Sequence, residues 1–229
     1  MNKVAFITGA SRGIGRETAL AFARDGFDLA ISARSLEEGQ SHTHGLRNPD
    51  GTPLPGSLNG TAAAIRELGR KALVVPMDLL DSESVLAASR AAFAEYGRVD
   101  VLVNNAIYQG SDLNAAFMEL QPETLERVFQ GYMMTPFLLT RAVVSQMLEQ
   151  GGGVVINVTS GAGETDPPVA AGKGGWGYAY GAGKAMVSRL SGILSVEFGD
   201  RGIRAYTLNP GVGTTDALRA TIGDTGVIA

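Results

Sequence analysis

The 229-residue chain contains no cysteine, which excludes disulfides, thiolate nucleophiles and sulfur-ligated metal sites. Histidine is nearly as scarce. His42 and His44 are the only two, so a Ser-His-Asp triad has few candidates, and both lie in a polar Gly/Pro stretch that favours a solvated pair over a metal site. No run of basic residues is interleaved with aromatics and the formal net charge is −4, so nucleic acid is not an expected partner. The apolar run before Thr8, Val4 to Ile7, is too short for a signal-peptide core, and no stretch approaches membrane-spanning length. The expectation is a cytoplasmic protein with no membrane partner and no bound metal.

What is present is an ordinary globular composition, 45% apolar, enough to bury the core of one α/β domain spanning residues 1–229. Short β-branched runs alternate with helical patterns. Strands are predicted at 4–7, 29–31, 72–75, 99–103, 154–158 and 203–208, and helices from residue 15 to Gly26 and at 61–68, 82–96, 122–148 and 180–198. Pro136 should kink or break the fourth helix. The polar segment 35–59 reads as an inserted loop, because alternation resumes directly after it. Such alternation implies a Rossmann-like, doubly wound parallel sheet with helices on both faces and a ligand at the carboxyl ends of its strands.

Two stretches fall at those ends. Thr8-Gly-Ala-Ser-Arg-Gly-Ile-Gly15 joins the first strand to the first helix, where glycines let backbone amides approach a pyrophosphate; the weaker alternative is a tight turn alone. The second begins with the strand Val154 to Val158, which delivers Ser160 to the sheet's carboxyl edge. Twenty residues after Ser160 comes Tyr180, with Lys184 one helical turn further on the same side. A phenol with a pKa near ~10 is a poor acid or base at neutral pH unless its anion is stabilised, and a nearby ammonium does that. An interfacial Tyr with a snorkelling Lys is the bland alternative for this spacing.

Taken in order, these motifs resemble the short-chain dehydrogenase/reductase family from Val4 to about Asp216. Thr8-Gly9 with Gly13 and Gly15 matches its nucleotide-binding turn, which also brings Ser11, Arg12 and Ile14 to the cofactor. Asp78, followed by Leu79, matches the aspartate that contacts adenine, and Asn104-Asn105-Ala106 the turn after the fourth strand, with Ile107 where glycine is usual. Ser160, Tyr180 and Lys184 match the catalytic set, and Asn209-Pro210-Gly211 with Thr215 the segment that holds the nicotinamide. The resemblance implies interconversion of a small-molecule carbonyl and alcohol: Tyr180 moves the proton, Ser160 binds the oxygen, and Lys184 lowers the Tyr180 pKa and binds the ribose. It also implies a homodimer or homotetramer. Ala33-Arg34 after the second strand, where NAD enzymes place an acid, and Arg12 in the glycine turn point to NADP(H), unless both arginines are solvated surface charges.

Three further features depart from the family, and a fourth points to a subgroup within it. Tyr132 stands where an asparagine usually holds a water of the proton relay. That leaves three readings: a rewired relay, a different helix register, or a protein that keeps the cofactor without efficient turnover. Residues 217–229 are too short for a substrate-covering segment plus a seventh strand, which leaves two readings: a sheet without that edge strand, or a sequence that is a piece of a longer chain. The stretch 161–179 is long and reads as a substrate-side loop, in which Trp176 and Tyr178 wall a pocket or serve as packing anchors. Segment 35–59, with Leu54-Pro-Gly-Ser-Leu, is similar to a hydroxysteroid-dehydrogenase-like subgroup. A cofactor-binding sensor or scaffold, and more remotely an isomerase or dehydratase, stand as alternatives to the oxidoreductase.

Overall fold

The structure is a computed structural model that describes residues 2–211, 213 and 215–222. Six parallel strands, β1 (Val4–Thr8), β2 (Asp28–Ala33), β3 (Ala72–Pro76), β4 (Val101–Asn104), β5 (Gly153–Val158) and β6 (Ile203–Leu208), form one sheet in the order β3-β2-β1-β4-β5-β6. The chain winds outward from β1 to β3, then returns to β1's other side. Its direction therefore reverses between β1 and β4, and the connections leaving those strands diverge to open a crevice.

Strand pleating divides the core in two. In β1, Phe6 joins Ala30, Leu102 and Val155 against α3 (Ser82–Tyr96), α5 (Thr135–Glu149) and α6 (Tyr178–Phe198), where Val85, Leu139, Met147 and Leu194 pack. Ala5 and Ile7 point the other way, joining Leu29, Ile31 and Val103 against α1 (Gly13–Arg24) and α2 (Leu58–Glu67). Burial on both faces explains why β1, β2 and β4 read as near-continuous apolar runs, whereas edge strand β6 is largely exposed. The helix ends carry conventional signals: the Ser57 hydroxyl accepts from the Gly60 amide at 3.0 Å, and Asp81 accepts from Glu83 and Ser84.

Most boundaries shift by one or two residues from the sequence expectation, and three places differ in kind. Ser57, Leu58 and Asn59, read as the end of the inserted loop, cap and begin α2. Val99 and Asp100 precede β4, with Asp100 accepting the Val4 amide at 2.8 Å. The fourth helix is broken ahead of Pro136: α4 (Pro122–Val128) leads into a π-type turn at Phe129–Met134 before α5 begins. Proline cannot donate to the ladder and crowds the carbonyl four residues back, so Thr135 bonds Gln130 five residues back, through both its amide and its hydroxyl. Residues 216–222 form α7, and 223–229, in the stretch read as too short for a seventh strand, lie outside the described residues. Among the described residues, no helix is long and apolar enough to cross a membrane.

At the sheet's amino end, buried Asp28 accepts from Arg70 at 2.8 Å, the Lys71 amide at 3.0 Å and Asn2 at 3.0 Å. Burial alone would raise its carboxyl pKa, but these donors together hold it below the ordinary value. A depressed carboxyl stabilises the fold above its unfolded pKa near ~4, and that contribution disappears as pH falls through the lower folded value. Asp28→Asn should therefore cost about 1–3 kcal/mol in urea unfolding at pH 7. The gap between variant and parent should narrow below about pH 4; equal stability at pH 7 would show the cluster to be idle.

Candidate active site

The crevice is built first by Thr8. Its buried hydroxyl donates to the Val103 carbonyl at 3.2 Å and accepts the Asn105 and Ala106 amides, each at 3.0 Å. Asn105 returns a side-chain bond to the Thr8 carbonyl at 2.9 Å. These bonds tie the diverging ends of β1 and β4, so Thr8 lies behind the crevice wall rather than in it. A Cβ on Gly15 would come within 2.2 Å of the Gly9 carbonyl, and only glycine lets α1 start that close to the turn. Arg12, extended and without a side-chain cap on α1, leaves the helix's first amides facing the crevice.

The resulting cavity, about 520 Å³, runs along the carboxyl ends of the strands. Gly9, Ser11, Arg12, Gly13, Ile14 and Gly15 line one end, with Arg34, Asp78 and Leu79 beside them. Asn105 and Ala106 floor the middle, and Ser160, Tyr180 and Lys184 lie at the other end. Pro210, Gly211 and Thr215 border it, and the Thr215 methyl lies 3.6 Å from where a Gly13 Cβ would be. This floor of bare glycine backbone with two arginines at one end fits an extended dinucleotide. The wall also contains residues that sequence reasoning missed, including Tyr108, Asn114 and His42. His42 is half-buried beside Ser35, not part of a solvated pair, because the 35–57 loop folds back onto the crevice; His44 is exposed.

Ser160 follows β5, and Tyr180 and Lys184 share the first turns of α6. Lys184 is only 4% exposed; its ammonium donates to the Val158 carbonyl at 3.0 Å and stands 5.9 Å from the ring centroids of both Tyr180 and Tyr132. Burial lowers its pKa to about 8. Burial pushes the Tyr180 phenol up, opposed by the Ser160 hydroxyl. The expected downward pull of Lys184 on Tyr180 is therefore not the dominant effect in this structure: the ammonium lies over the ring, 5.9 Å from its centroid, and is tied to a backbone carbonyl. A phenol held in its protonated form is a proton donor.

Tyr132 lies outside the crevice proper, on the wall of a second, apolar cavity of about 630 Å³ between α5 and α6. The π-type turn rotates its ring inward to 1% exposure, against Gly183, where a Cβ would come within 2.7 Å of the ring. Its hydroxyl is the one buried side-chain polar atom among the described residues with no hydrogen-bond partner, and burial raises its pKa well above the ordinary value. Tyr178 also departs from expectation: it is exposed and packs edge-on to Phe117, whereas Trp176 lines the crevice with Pro168.

Segment 107–114 is held over the crevice by a polar cluster with no local periodicity to announce it. Tyr108 donates to Asp112 at 3.0 Å, and Arg127 of α4 bonds the Tyr108 hydroxyl at 3.0 Å and Asp112 at 2.9 Å. Burial would raise the Asp112 carboxyl, but Thr124, Arg127 and Tyr108 hold it below the usual range.

A sheet reversing between β1 and β4 over a glycine-lined crevice, with a serine, a tyrosine and a lysine at one end, defines a nucleotide-dependent oxidoreductase. Residues 3–52 and 53–224 match the short chain dehydrogenase family model, and the chain belongs to that family. It is 33% identical over 216 residues to D-threitol dehydrogenase of Mycolicibacterium smegmatis, covering 93% of this chain and 71% of the relative. It superposes with a TM-score of 0.76 on L-sorbose reductase from Gluconobacter frateurii complexed with NADPH and L-sorbose, at 29% identity over 94% of this chain and 71% of the other. A 7α-hydroxysteroid dehydrogenase complexed with NADH and 7-oxo glycochenodeoxycholic acid gives the same score at 28% identity, covering 95% and 74%. These neighbours bind different nicotinamide cofactors.

Because the Tyr132 hydroxyl is desolvated without a partner, Tyr132→Phe should raise stability, by about 1–2 kcal/mol in urea unfolding. A loss of stability would show that the hydroxyl has a partner the geometry does not reveal.

Proposed function

We propose that the protein is an NADP(H)-dependent reductase of small-molecule carbonyls, with Tyr180 as general acid. The observation that carries this reading is the juxtaposition of Ser160, Tyr180 and Lys184 at one end of a crevice whose other end holds Arg12 and Arg34. When bound, the nicotinamide would supply the hydride. Tyr180 gives its proton to the substrate oxygen and takes it back in alcohol oxidation; burial, which raises its pKa, keeps it protonated but makes it a weaker acid, so the donation relies on the Ser160 hydroxyl and the Lys184 charge to stabilise the phenolate. Ser160 bonds the same oxygen and positions the phenol. Lys184 binds the ribose and keeps positive charge near the two rings, a contribution that fades as pH rises above about 8. Arg12 and Arg34 favour a 2′-phosphate over a free ribose hydroxyl. The exposed apolar side chains Phe129, Met133, Phe137 and Ile193 on the π-type turn, α5 and α6 support a homodimer through these helices.

Tyr132 favours a second reading, a cofactor-binding sensor with little turnover. Its ring fills space beside Lys184 without offering the proton relay a bonded hydroxyl.

NADPH oxidation against ketones, aldehydes and quinones, by the parent and by Tyr132→Asn, separates the two. Turnover by the parent supports the reductase; turnover by the variant alone makes Tyr132 a brake. Tyr180→Phe should abolish turnover while leaving cofactor affinity within about twofold, whereas retention of most turnover would remove Tyr180 from the chemistry. NADPH should bind at least about tenfold tighter than NADH, a difference of ~1.4 kcal/mol. Equal dissociation constants would defeat the assignment of Arg12 and Arg34.

A further inference from the structure

We propose that the 35–57 loop delivers His42 as a third cationic ligand for the 2′-phosphate of the cofactor, and that this imidazole takes up a proton as the phosphate binds. The inference rests on the NADP(H) reading and extends it to a residue outside the glycine turn and β2.

The loop is fixed at both ends against the glycine turn. At its far end, the Gly56 carbonyl accepts from Arg12 at 3.1 Å and its amide donates to Glu38 at 2.8 Å. Gly56 has φ +106°, and a Cβ there would come within 2.5 Å of the Ser11 carbonyl, so the loop closes directly onto the turn. Leu54 is buried beneath it. At the near end, Ser35 bridges two basic groups: its hydroxyl accepts from Arg12 at 3.1 Å and lies 3.2 Å from His42 Nε2. Arg34 holds the next residue, donating to the Thr43 carbonyl at 3.1 Å. His42 is thus one hydroxyl away from the Arg12 guanidinium, and Arg12, Arg34 and His42 line the same end of the crevice.

The charges around the ring set its behaviour. Burial, then Arg34, then Arg12 disfavour the imidazolium, while Asp78, following β3, favours it; the net pKa is lowered. Glu38 and Asp216 act on Arg12 from the loop and from α7. His42 is therefore neutral at neutral pH in the free protein. A phosphate dianion placed among Arg12, Arg34 and His42 reverses that balance, because it relieves the repulsion between the three basic groups and gives the second ring proton an acceptor. A ligand that raises a histidine pKa binds more tightly as pH falls between the bound and free values, and in that window it takes up a proton. NADH, with no charge at the 2′ position, lacks this linkage. The phosphate's own second ionisation, near ~6, opposes the effect at low pH, so the contribution of His42 is the difference between parent and a non-titrating variant.

The test is calorimetric titration of the intact protein and of His42→Gln with NADPH and NADH, at pH 6.5 to 8.5 in buffers of differing ionisation enthalpy. The parent should take up a substantial fraction of a proton more than the variant with NADPH and the same with NADH. His42→Gln should weaken NADPH about three- to tenfold at pH 6.5, less at pH 8.5, and leave NADH unchanged. Equal proton uptake by parent and variant, with NADPH still tighter than NADH, overturns the role of His42 alone. Equal affinity of the parent for the two cofactors overturns the NADP(H) reading beneath it. Because His42 and His44 are the only histidines, the parent also gives a readout independent of the His42 variant. Its two imidazole resonances, assigned with His44→Gln, should show the His42 pKa rising with 2′,5′-ADP and not with 5′-AMP; no rise with either removes the proposal.

Discussion

The crevice depends on how the chain ends two neighbouring strands that then part. Where β1 and β4 diverge, backbone groups lose their ladder partners in a place too buried for water to satisfy them. Thr8 solves this with one hydroxyl, donating to Val103 and receiving the Asn105 and Ala106 amides. The Asn105 side chain closes the other side. The Gly9 and Ala10 amides of the turn itself bond the Ser32 carbonyl at 2.7 and 3.1 Å, so the amides left to a ligand are those at the start of α1. Gly15 then sets α1 against Gly9 at a distance no side chain tolerates. The anion-binding end of the site follows from satisfying a topological break.

The end with Ser160, Tyr180 and Lys184 is held by a different device. Asn104 at the end of β4 donates to Thr140 of α5 at 2.8 Å and to Asn157 of β5 at 2.9 Å. Asn157 donates in turn to Ser191 of α6 at 2.8 Å, which also accepts from Thr207 of β6. This fully bonded buried chain orients three strands and two helices, with a penalty for any register in which a member is left unpaired. Thr159 adds a bond to the Lys184 carbonyl at 3.2 Å, and Lys184 reaches back to Val158. Ser160, Tyr180 and Lys184 thus inherit their relative positions from a polar lattice beneath them.

The glycine turn, the strand leading to Ser160 and the Tyr180–Lys184 pair were legible in the sequence because each depends on local spacing: a strand, a turn or one step of a helix. Six strands occur at the six predicted places; β1, β2 and β4 were the plainest because burial on both faces leaves them little room for polar residues. The features that escaped are long-range. Nothing local in Tyr108, Asp112 and Arg127 indicates that they meet, nor that the 35–57 loop turns back to set His42 beside Ser35. The π-type turn was half visible: Pro136 marked a break, but the wider ladder ahead of it, and the rotation it imposes on Tyr132, come from packing against α6.

Tyr132 and Gly183 illustrate how such packing changes the meaning of a departure. Judged by size alone, a phenol at an amide's position would collide with α6 or displace Tyr180. Neither occurs. Gly183 leaves open the volume that the ring occupies, and the π-type turn sets the ring's angle so that its face, rather than its hydroxyl, is presented towards Lys184. The ammonium stands 5.9 Å from the centroids of both rings, which adds diffuse stabilisation to its single hydrogen bond, to the Val158 carbonyl. That stabilisation is weaker than a hydrogen-bonded relay, in keeping with a Lys184 pKa lowered to about 8 by burial.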